Sequence, residues 1–415
     1  MALATLRRGV RLLRDPYGFL AAERERHGAT FRVELPVLGR ALFTGDPTLV
    51  EEIARHPELD AGRGIQALRT VLGDGSLITL DGEAHRSRRR LVAPAFSGEA
   101  LERSRPLVES ATRGLAAEAP RSGSFPIYEL LLRITRRTIL RMVFGELPPE
   151  REREADAAVE GFVSALGNPL PLYLSPLRVD LGPLNGWGRL LGHRRSLRAL
   201  IRAEIRRHRA GESSEACTLA ALCSLAPGLD EEALTTEVVA LLLFGHDTGA
   251  SAMTWAMAHL YAWGDPARAR AEPDYLEACI AESMRLCPVV AHLTRVASRP
   301  TQVGPFEVGA DERVLPSAWL AHHDPALFPE PARFRPERFL DQEPISPYAY
   351  FPFGIGARIC VGRPFVLAQM RWVLGALLQC LELELEPGYR PQPVRKQVLV
   401  VPRAGAPFRR VGRRG

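Results

Sequence analysis

Apolar positions along this chain recur mostly at helical spacing. Residues 16–27 read as a helix, and two short runs, 30–35 and 40–45, read as strands. Asp46 then caps a helix over 47–55. From 62 to 80 the pattern turns irregular and glycine-rich, which predicts a loop over a site. Helical periodicity resumes near Glu83, Ala100, Ile127, Glu150 and Arg189. The stretch 167–188 is rich in Pro, Leu and Gly and carries Leu170, Leu172, Tyr173, Leu174, Leu177 and Trp187. It predicts an apolar loop, either an entrance lid or a packed connection. Asp230 caps a helix that runs to about Trp263, where Gly264-Asp265-Pro266 stops it. About thirty residues span roughly 50 Å. This helix is apolar nearly all round, so it is expected to cross the middle of the fold. Another helix, about 273–286, ends before Pro288. Strands, turns and proline-rich coil follow to about Leu340, a helix opens near Pro364, and 381–386 and 398–401 give late strands. The prediction is a mainly α chain with small β-sheets (α+β), organised as one domain over 1–415.

Composition excludes some classes. The 415 residues, 46% of them hydrophobic, suffice for a large core. Lys+Arg 54 against Asp+Glu 48 leaves +6, and nearly all the positive charge is arginine; Lys396 is the one lysine. So small a balance, with no basic run interleaved with aromatics, gives no reason to expect nucleic-acid binding. The six cysteines, Cys217, Cys223, Cys279, Cys287, Cys360 and Cys380, include no Cys-x-x-Cys pair. A chain this core-rich needs no disulfide staples, and a cytoplasmic location is expected. Arg7, Arg8, Arg11 and Arg14 interrupt the apolar residues of 1–14. That segment reads as a frayed amphipathic end, and no integral membrane segment is expected.

Cys360 lies in Phe353-Gly354-Ile355-Gly356-Ala357-Arg358-Ile359-Cys360-Val361-Gly362. A sulfur on a glycine-opened loop just ahead of a helix faces unpaired N–H groups and the positive end of the dipole, which favours thiolate. One thiolate with no partner cysteine nearby suits an axial bond to haem iron. Arg358 can offer its guanidinium to a haem carboxylate, and the glycines leave room for a flat macrocycle. The competing readings are a buried small hydrophobe and a phosphate loop. The second fails on the residues. Ile359 stands where a dinucleotide fingerprint needs its third glycine, and no Gly-Lys-Ser/Thr follows.

Midway along the long helix stands Phe244-Gly245-His246-Asp247-Thr248-Gly249. Polar residues inside a buried helix are costly without partners. Gly245 removes bulk on the face of Thr248. The Thr248 hydroxyl can reach the Phe244 carbonyl, loosening the helix and opening a groove for a small molecule or water. Asp247 can then relay protons. Taken alone, the same residues also read as a helix kink with Asp247 paired to an arginine. His246 is a pocket candidate unless it faces away. Glu282 and Arg285 share a helical face, and Arg338 follows in Pro336-Glu337-Arg338-Phe339; separately each reads as solvated charge. His85 and Arg89, four apart in the basic cluster 81–90, alone read as part of a solvated basic helix. His322-His323-Asp324 reads as structural rather than metal-binding.

Together, in order from about Leu80 to Leu367, these segments resemble the cytochrome P450 family. The Cys360 segment matches the pattern Phe-x-x-Gly-x-Arg-x-Cys-x-Gly of that family's haem-binding loop at every fixed position. Gly245, Asp247 and Thr248 fall on its oxygen-activating motif, and Glu282, Arg285 and 336–339 are similar to two further signatures. The resemblance implies a cytochrome P450 fold with the long helix crossing the haem. It implies haem b (iron protoporphyrin IX) with Cys360 as metal ligand and its carboxylates held by His85, Arg89, Arg295 and Arg358. Asp247 and Thr248 become the catalytic pair for dioxygen, with Asp247 open to solvent on one side. Glu282, Arg285 and Arg338 become a buried network locking the Cys360 loop, and Phe244, Gly245, Val290 and Leu293 line a substrate pocket. Arg86, Arg88 and Arg90 are left over for docking an acidic electron donor. Two positions depart from the family pattern. Phe244 replaces a small residue and would shrink or redirect the pocket unless it points into the core, and Gly249 replaces a second hydroxyl residue.

The activity implied is a monooxygenase that hydroxylates or epoxidises a hydrophobic small molecule, such as a terpenoid, fatty acid or polyketide of secondary metabolism. It would use O2 and electrons from a separate ferredoxin and ferredoxin reductase, since no flavin, nicotinamide or iron–sulfur segment is recognisable in the sequence. A peroxide-driven or rearranging haem-thiolate enzyme and a non-catalytic haem sensor are the competing readings.

Overall fold

The long helix is Glu231–Trp263, 33 residues, and Asp230 caps it by accepting the Ala233 N–H at 2.7 Å. The structure is a computed structural model and describes every residue except 1, 37, 97–98, 167–178, 213–216, 226–227, 341–343, 397–398 and 412–415. The helix packs against Ile127–Phe144, Gly186–Arg209, Pro273–Leu286, Arg363–Cys380 and the strand Leu399–Pro402. A helix with no continuous polar face has to be covered on all sides, as the apolar pattern predicts. Its first half, with Val238, Val239 and Leu242, shares a core with Phe162, Leu197, Ile201 and Leu222. Its second half, with Met253, Ala256 and Leu260, shares another with Leu276, Met370, Leu377 and Phe408. Asp247 and Thr248 sit where the helix passes from one core to the other.

Five strands form the largest sheet, in the order Thr30–Leu35, Gly39–Thr44, Arg313–Pro316, Arg295–Ala297, Leu59–Asp60. Gly39–Thr44 and Arg313–Pro316 pair in parallel, with Ala41 opposite Arg313; the other pairs are antiparallel. This sheet fixes Arg295, which stands opposite Val314.

Several elements match the sequence expectation closely: the helices Pro16–His27, Pro47–Arg55 and Pro273–Leu286, and the strand Thr30–Leu35. Gly186–Arg209 starts three residues before Arg189 because Asn185 accepts the Gly188 N–H at 2.8 Å and caps there. Trp187 is therefore a buried helical residue and not part of an apolar loop. The remaining lid residues, Leu170, Leu172, Tyr173, Leu174 and Leu177, lie outside the described residues. The N-terminal segment is also corrected. Ala2–Arg14 is a helix packed on Pro16–His27, with Leu12 buried and Gly9 close against Pro36. Sequence reading missed the helices Thr218–Leu225 and Pro266–Ala271. It also missed the strand Pro393–Lys396, which begins on a proline and shows no alternation but pairs with Leu399–Pro402. Val398, expected in that last strand, lies outside the described residues. Among the described residues no helix is long and apolar enough to cross a membrane.

Candidate active site

The Cys360 loop is held by its own backbone. The Cys360 N–H donates to the Phe353 carbonyl at 2.8 Å, and the Gly354 N–H to the Phe351 carbonyl at 3.0 Å. Gly354 has φ 89° and Gly356 φ 57°, both in the region that favours glycine. A Cβ on Gly356 would lie 2.8 Å from the Ala54 carbonyl oxygen. These two glycines thus serve the turn, and Gly356 its approach to the helix Pro47–Arg55. The helix Arg363–Cys380 follows, with Pro364 in its first turn as expected.

Cys360 is exposed by area, yet protein crowds it on its other sides. That desolvation pushes its thiol up, and it outweighs the Gly362 and Arg363 N–H groups and the Arg89 charge that pull it down. The N–H groups ahead of the helix favour the thiolate as expected, but burial acts the other way and is the larger effect. A metal ion would be needed to tip the balance, because a coordinated thiol is deprotonated outright.

Behind the loop lies the ion-pair network. Glu282 and Arg285 are both fully buried. Arg285 donates from Nε to Glu282 Oε2 at 2.7 Å and from Nη2 to Oε1 at 2.9 Å. Arg338 Nε adds 3.3 Å and the Arg335 N–H 2.9 Å, both to Oε1. Sequence reading missed how this reaches the loop. His322 Nδ1 donates to the Arg285 carbonyl at 3.2 Å, and its Nε2 accepts the Phe351 N–H at 3.0 Å. Burial holds this imidazole far below its usual range, so it is neutral and can do both. His322 is structural, as expected; the missed signal is that a buried neutral histidine joins two backbone segments.

Three arginines and a histidine gather in front of the loop. Arg89, on Gly82–Val92, donates to the Ile359 carbonyl at 2.7 Å. Arg358 donates to the carbonyls of Leu77, at 3.3 Å, and Leu80, and pairs with Asp81. The 62–80 segment, expected as a loop but helical over Arg63–Leu68 and Arg69–Leu72, is thereby fastened to the Cys360 loop. Burial, then the Arg358 and Arg89 charges, hold His85 down to about 4. Burial, then Arg358, pull Arg295 down to about 10. His85, Arg295 and Arg358 thus each feel a neighbouring arginine's charge, and Asp81 offsets it at all three. A dianion fits such a place by charge, which is the test that two haem carboxylates pass.

The leftover arginines are not alike. Arg86 and Arg90 pair with Glu83 on the surface at 2.8 and 3.0 Å. Arg88 is not spare: it reaches Glu237 on the long helix at 2.7 Å and the Gly75 carbonyl at 2.9 Å. That removes it from the expected docking face.

On the long helix, Thr248 Oγ1 donates to the Phe244 carbonyl at 2.6 Å, as the spacing predicts. The helix nevertheless continues unbroken through this turn, so the expected loosening is absent. Gly245 faces Ile139, whose Cδ1 would lie 2.8 Å from a Cβ there, and so it lets two helices approach. Phe244 packs partly buried against the first-half core. His246 is buried and gives its Nδ1 hydrogen to the Leu242 carbonyl at 2.9 Å. Leu293 lies beside the loop, its Cδ1 3.9 Å from where a Gly354 Cβ would be, whereas Val290 is 40% exposed. Asp247 is only 8% exposed. Direct solvent access is corrected, and its carboxylate instead takes the hydroxyl hydrogen of Tyr128.

The long helix meets the Cys360 helix at Gly249, where a Cβ would lie 3.4 Å from Gln369 Oε1. That oxygen is buried without a hydrogen-bond partner. Gly249→Ser is therefore expected to stabilise the protein by about 1 kcal/mol, through a new hydrogen bond and better helix propensity. Chemical denaturation checks it, and a lower midpoint would count against the orphaned oxygen.

A mainly helical fold with a lone accessible thiol between an ion-pair network and a cationic cluster is that of the haem-thiolate monooxygenases. The chain belongs to the cytochrome P450 family, whose model, described as Cytochrome P450, matches residues 12–263 and 264–407. A protein of Mycobacterium tuberculosis provisionally named cytochrome P450 135B1 is 32% identical over 96% of this chain and 88% of its own. Another from that species, provisionally named cytochrome P450 138, is 30% identical over 86% and 83%. CYP175A1 from Thermus thermophilus superposes with a TM-score of 0.76 at 26% identity, over 96% of this chain and 95% of that one. The retinoic acid bound cyanobacterial CYP120A1 gives 0.81 at 23% identity over 97% and 96%, a likeness of fold.

Proposed function

We propose that this chain, working as one domain, hydroxylates or epoxidises a hydrophobic small molecule of secondary metabolism in the cytoplasm. It uses O2, haem b and electrons from a separate ferredoxin and ferredoxin reductase. The observation that carries this reading is the meeting of the Cys360 helix with the long helix at Gly249, next to Thr248 and Asp247. Cys360 would bind the iron, and His85, Arg89, Arg295 and Arg358 would hold the two carboxylates. Haem, when bound, supplies the oxidising chemistry.

The chain supplies orientation and protons. Thr248 Oγ1 now gives its hydrogen to the Phe244 carbonyl. To donate toward dioxygen it has only to turn about one side-chain bond. Asp247 holds the carboxylate that passes protons inward. Thr248→Ala is expected to raise the hydrogen peroxide formed per NADPH several-fold, since dioxygen loses its hydrogen-bond donor. Peroxide assay with a surrogate ferredoxin and reductase reads this. Unchanged coupling would speak against the pair and for a peroxide-driven or sensing role.

A further inference from the structure

Asp247 needs a proton supply, and the fold offers one made from two distant segments. Tyr128 lies in the first turn of Ile127–Phe144 and gives its hydroxyl hydrogen to Asp247 Oδ1. Lys396, on the strand Pro393–Lys396, donates from Nζ to the same hydroxyl oxygen at 2.8 Å. Its Nζ also stands 4.2 Å from the Tyr128 ring centroid. Lys396 is partly exposed, while Tyr128 and Asp247 are buried. It is the one lysine in a chain that otherwise uses arginine. Arginine cannot give up a proton in a protein; lysine can.

We propose that Lys396 and Tyr128 form a proton relay from the surface to Asp247, a step that rests on Asp247 serving as the site's proton source. The Lys396 ammonium passes a proton to the Tyr128 oxygen as the Tyr128 hydroxyl proton passes to Asp247 Oδ1. The neutral amine then takes a proton from a hydronium ion of the bulk solvent, releasing water. One N–H bond breaks and re-forms at Lys396, one O–H bond breaks and one forms at Tyr128, one O–H bond forms at Asp247 Oδ1, and no electron moves. Burial, then the Asp247 charge, push Tyr128 far above its usual range, so a tyrosinate does not build up and the two transfers go together.

The neighbouring groups do not short-circuit this chain. His246 is committed to the Leu242 carbonyl, and burial disfavours its charge. Arg136, whose charge reaches His246, is held by Asp156 at 2.5 and 3.0 Å. Ser251 Oγ is buried near Tyr128 without a bonding partner of sound geometry. Glu129, adjacent to Tyr128, acts in the same direction as Asp247 and also raises Tyr128.

Both residues are positioning residues, and the test includes readouts that a structural role would not move. NADPH-driven oxygen consumption by the holoenzyme with a surrogate ferredoxin and reductase needs no identified substrate. Tyr128→Phe, which keeps the ring, is expected to slow it about 10–100-fold and to enlarge the solvent deuterium effect. Lys396→Arg keeps the charge yet should slow it as much; a rate restored by arginine would overturn the relay in favour of simple charge pairing. Acetylation of the single lysine, followed by mass spectrometry, reads the contact without turnover. It should run several-fold faster in Tyr128→Phe, and an unchanged rate would remove the Lys396–Tyr128 bond and the proposal with it. If Tyr128→Phe does not fold, Lys396→Arg and Lys396→Met, at a partly exposed position, still decide. Asp247→Asn separates the two readings. If it leaves the rate unchanged, the proton-source role falls and the relay with it. If it slows the rate while the Tyr128 and Lys396 variants do not, only the relay falls.

Discussion

Glu282→Gln is expected to cost about 3–5 kcal/mol of stability and to strip haem from the purified protein, because it strands buried charge. Glu282 accepts four hydrogen bonds, from Arg285 twice, Arg338 and the Arg335 backbone. Glutamine removes the charge and turns an NH2 group toward the fully buried Arg285 guanidinium. The damage should travel, since the Arg285 carbonyl holds His322 and His322 holds the Phe351 N–H at the start of the Cys360 loop. His322→Leu breaks only that last hand-off. It should cost less, about 1–3 kcal/mol for an unsatisfied buried group, while still lowering haem content. Denaturation midpoints and haem per chain report both. A Glu282→Gln protein that keeps its midpoint and its haem would show that the network does not hold the loop.

Cys360→Ser is expected to abolish NADPH-dependent turnover while leaving the fold intact. Serine keeps the size of the side chain, so the substitution should change stability by about 1 kcal/mol or less. Cys380, also exposed, stands at the far end of the 18-residue helix Arg363–Cys380, roughly 25 Å from its start, and burial pushes Cys279 up to about 12 and raises Cys217, Cys223 and Cys287. Among the described residues no cluster of three His, Cys, Asp or Glu side chains is placed to hold a metal. The reduced, carbon monoxide-bound variant should therefore lose the red-shifted Soret band of a thiolate ligand. A variant that keeps that band would place the iron ligand elsewhere.

Much of this was legible in the chain itself, because some signals are local. The 3.6 period of 231–263 is a property of consecutive residues, and so are the Asp230 cap and the reach of Thr248 to the Phe244 carbonyl. The Cys360 motif was legible for a similar reason: a turn needing two glycines at positive φ writes itself into a short stretch. Other residues were misread because their partners are far away in sequence. Arg88 looked like spare surface charge until Glu237, 149 residues on, came within 2.7 Å. Asp247 looked open to water until Tyr128 covered it. Trp187 was put in a loop because the Asn185 cap was overlooked, although that signal was local.

The sequence by itself determined the family, the helical framework and the reactive types: one thiol on a glycine turn, one acid–alcohol pair, four candidate cations. The framework and the reactive types follow from periodicity and short motifs, where bonded geometry sets which groups meet; the family and the four candidate cations follow from the resemblance those motifs carry. Only the tertiary structure decided the balance at each group. Desolvation around Cys360 outweighs the helix end, and His322 carries the buried ion pair's hold to the loop. Lys396 reaches Asp247 through Tyr128. Such effects depend on how much protein surrounds a charge and which distant side chain completes its hydrogen bonds, and both are fixed only when the chain has folded.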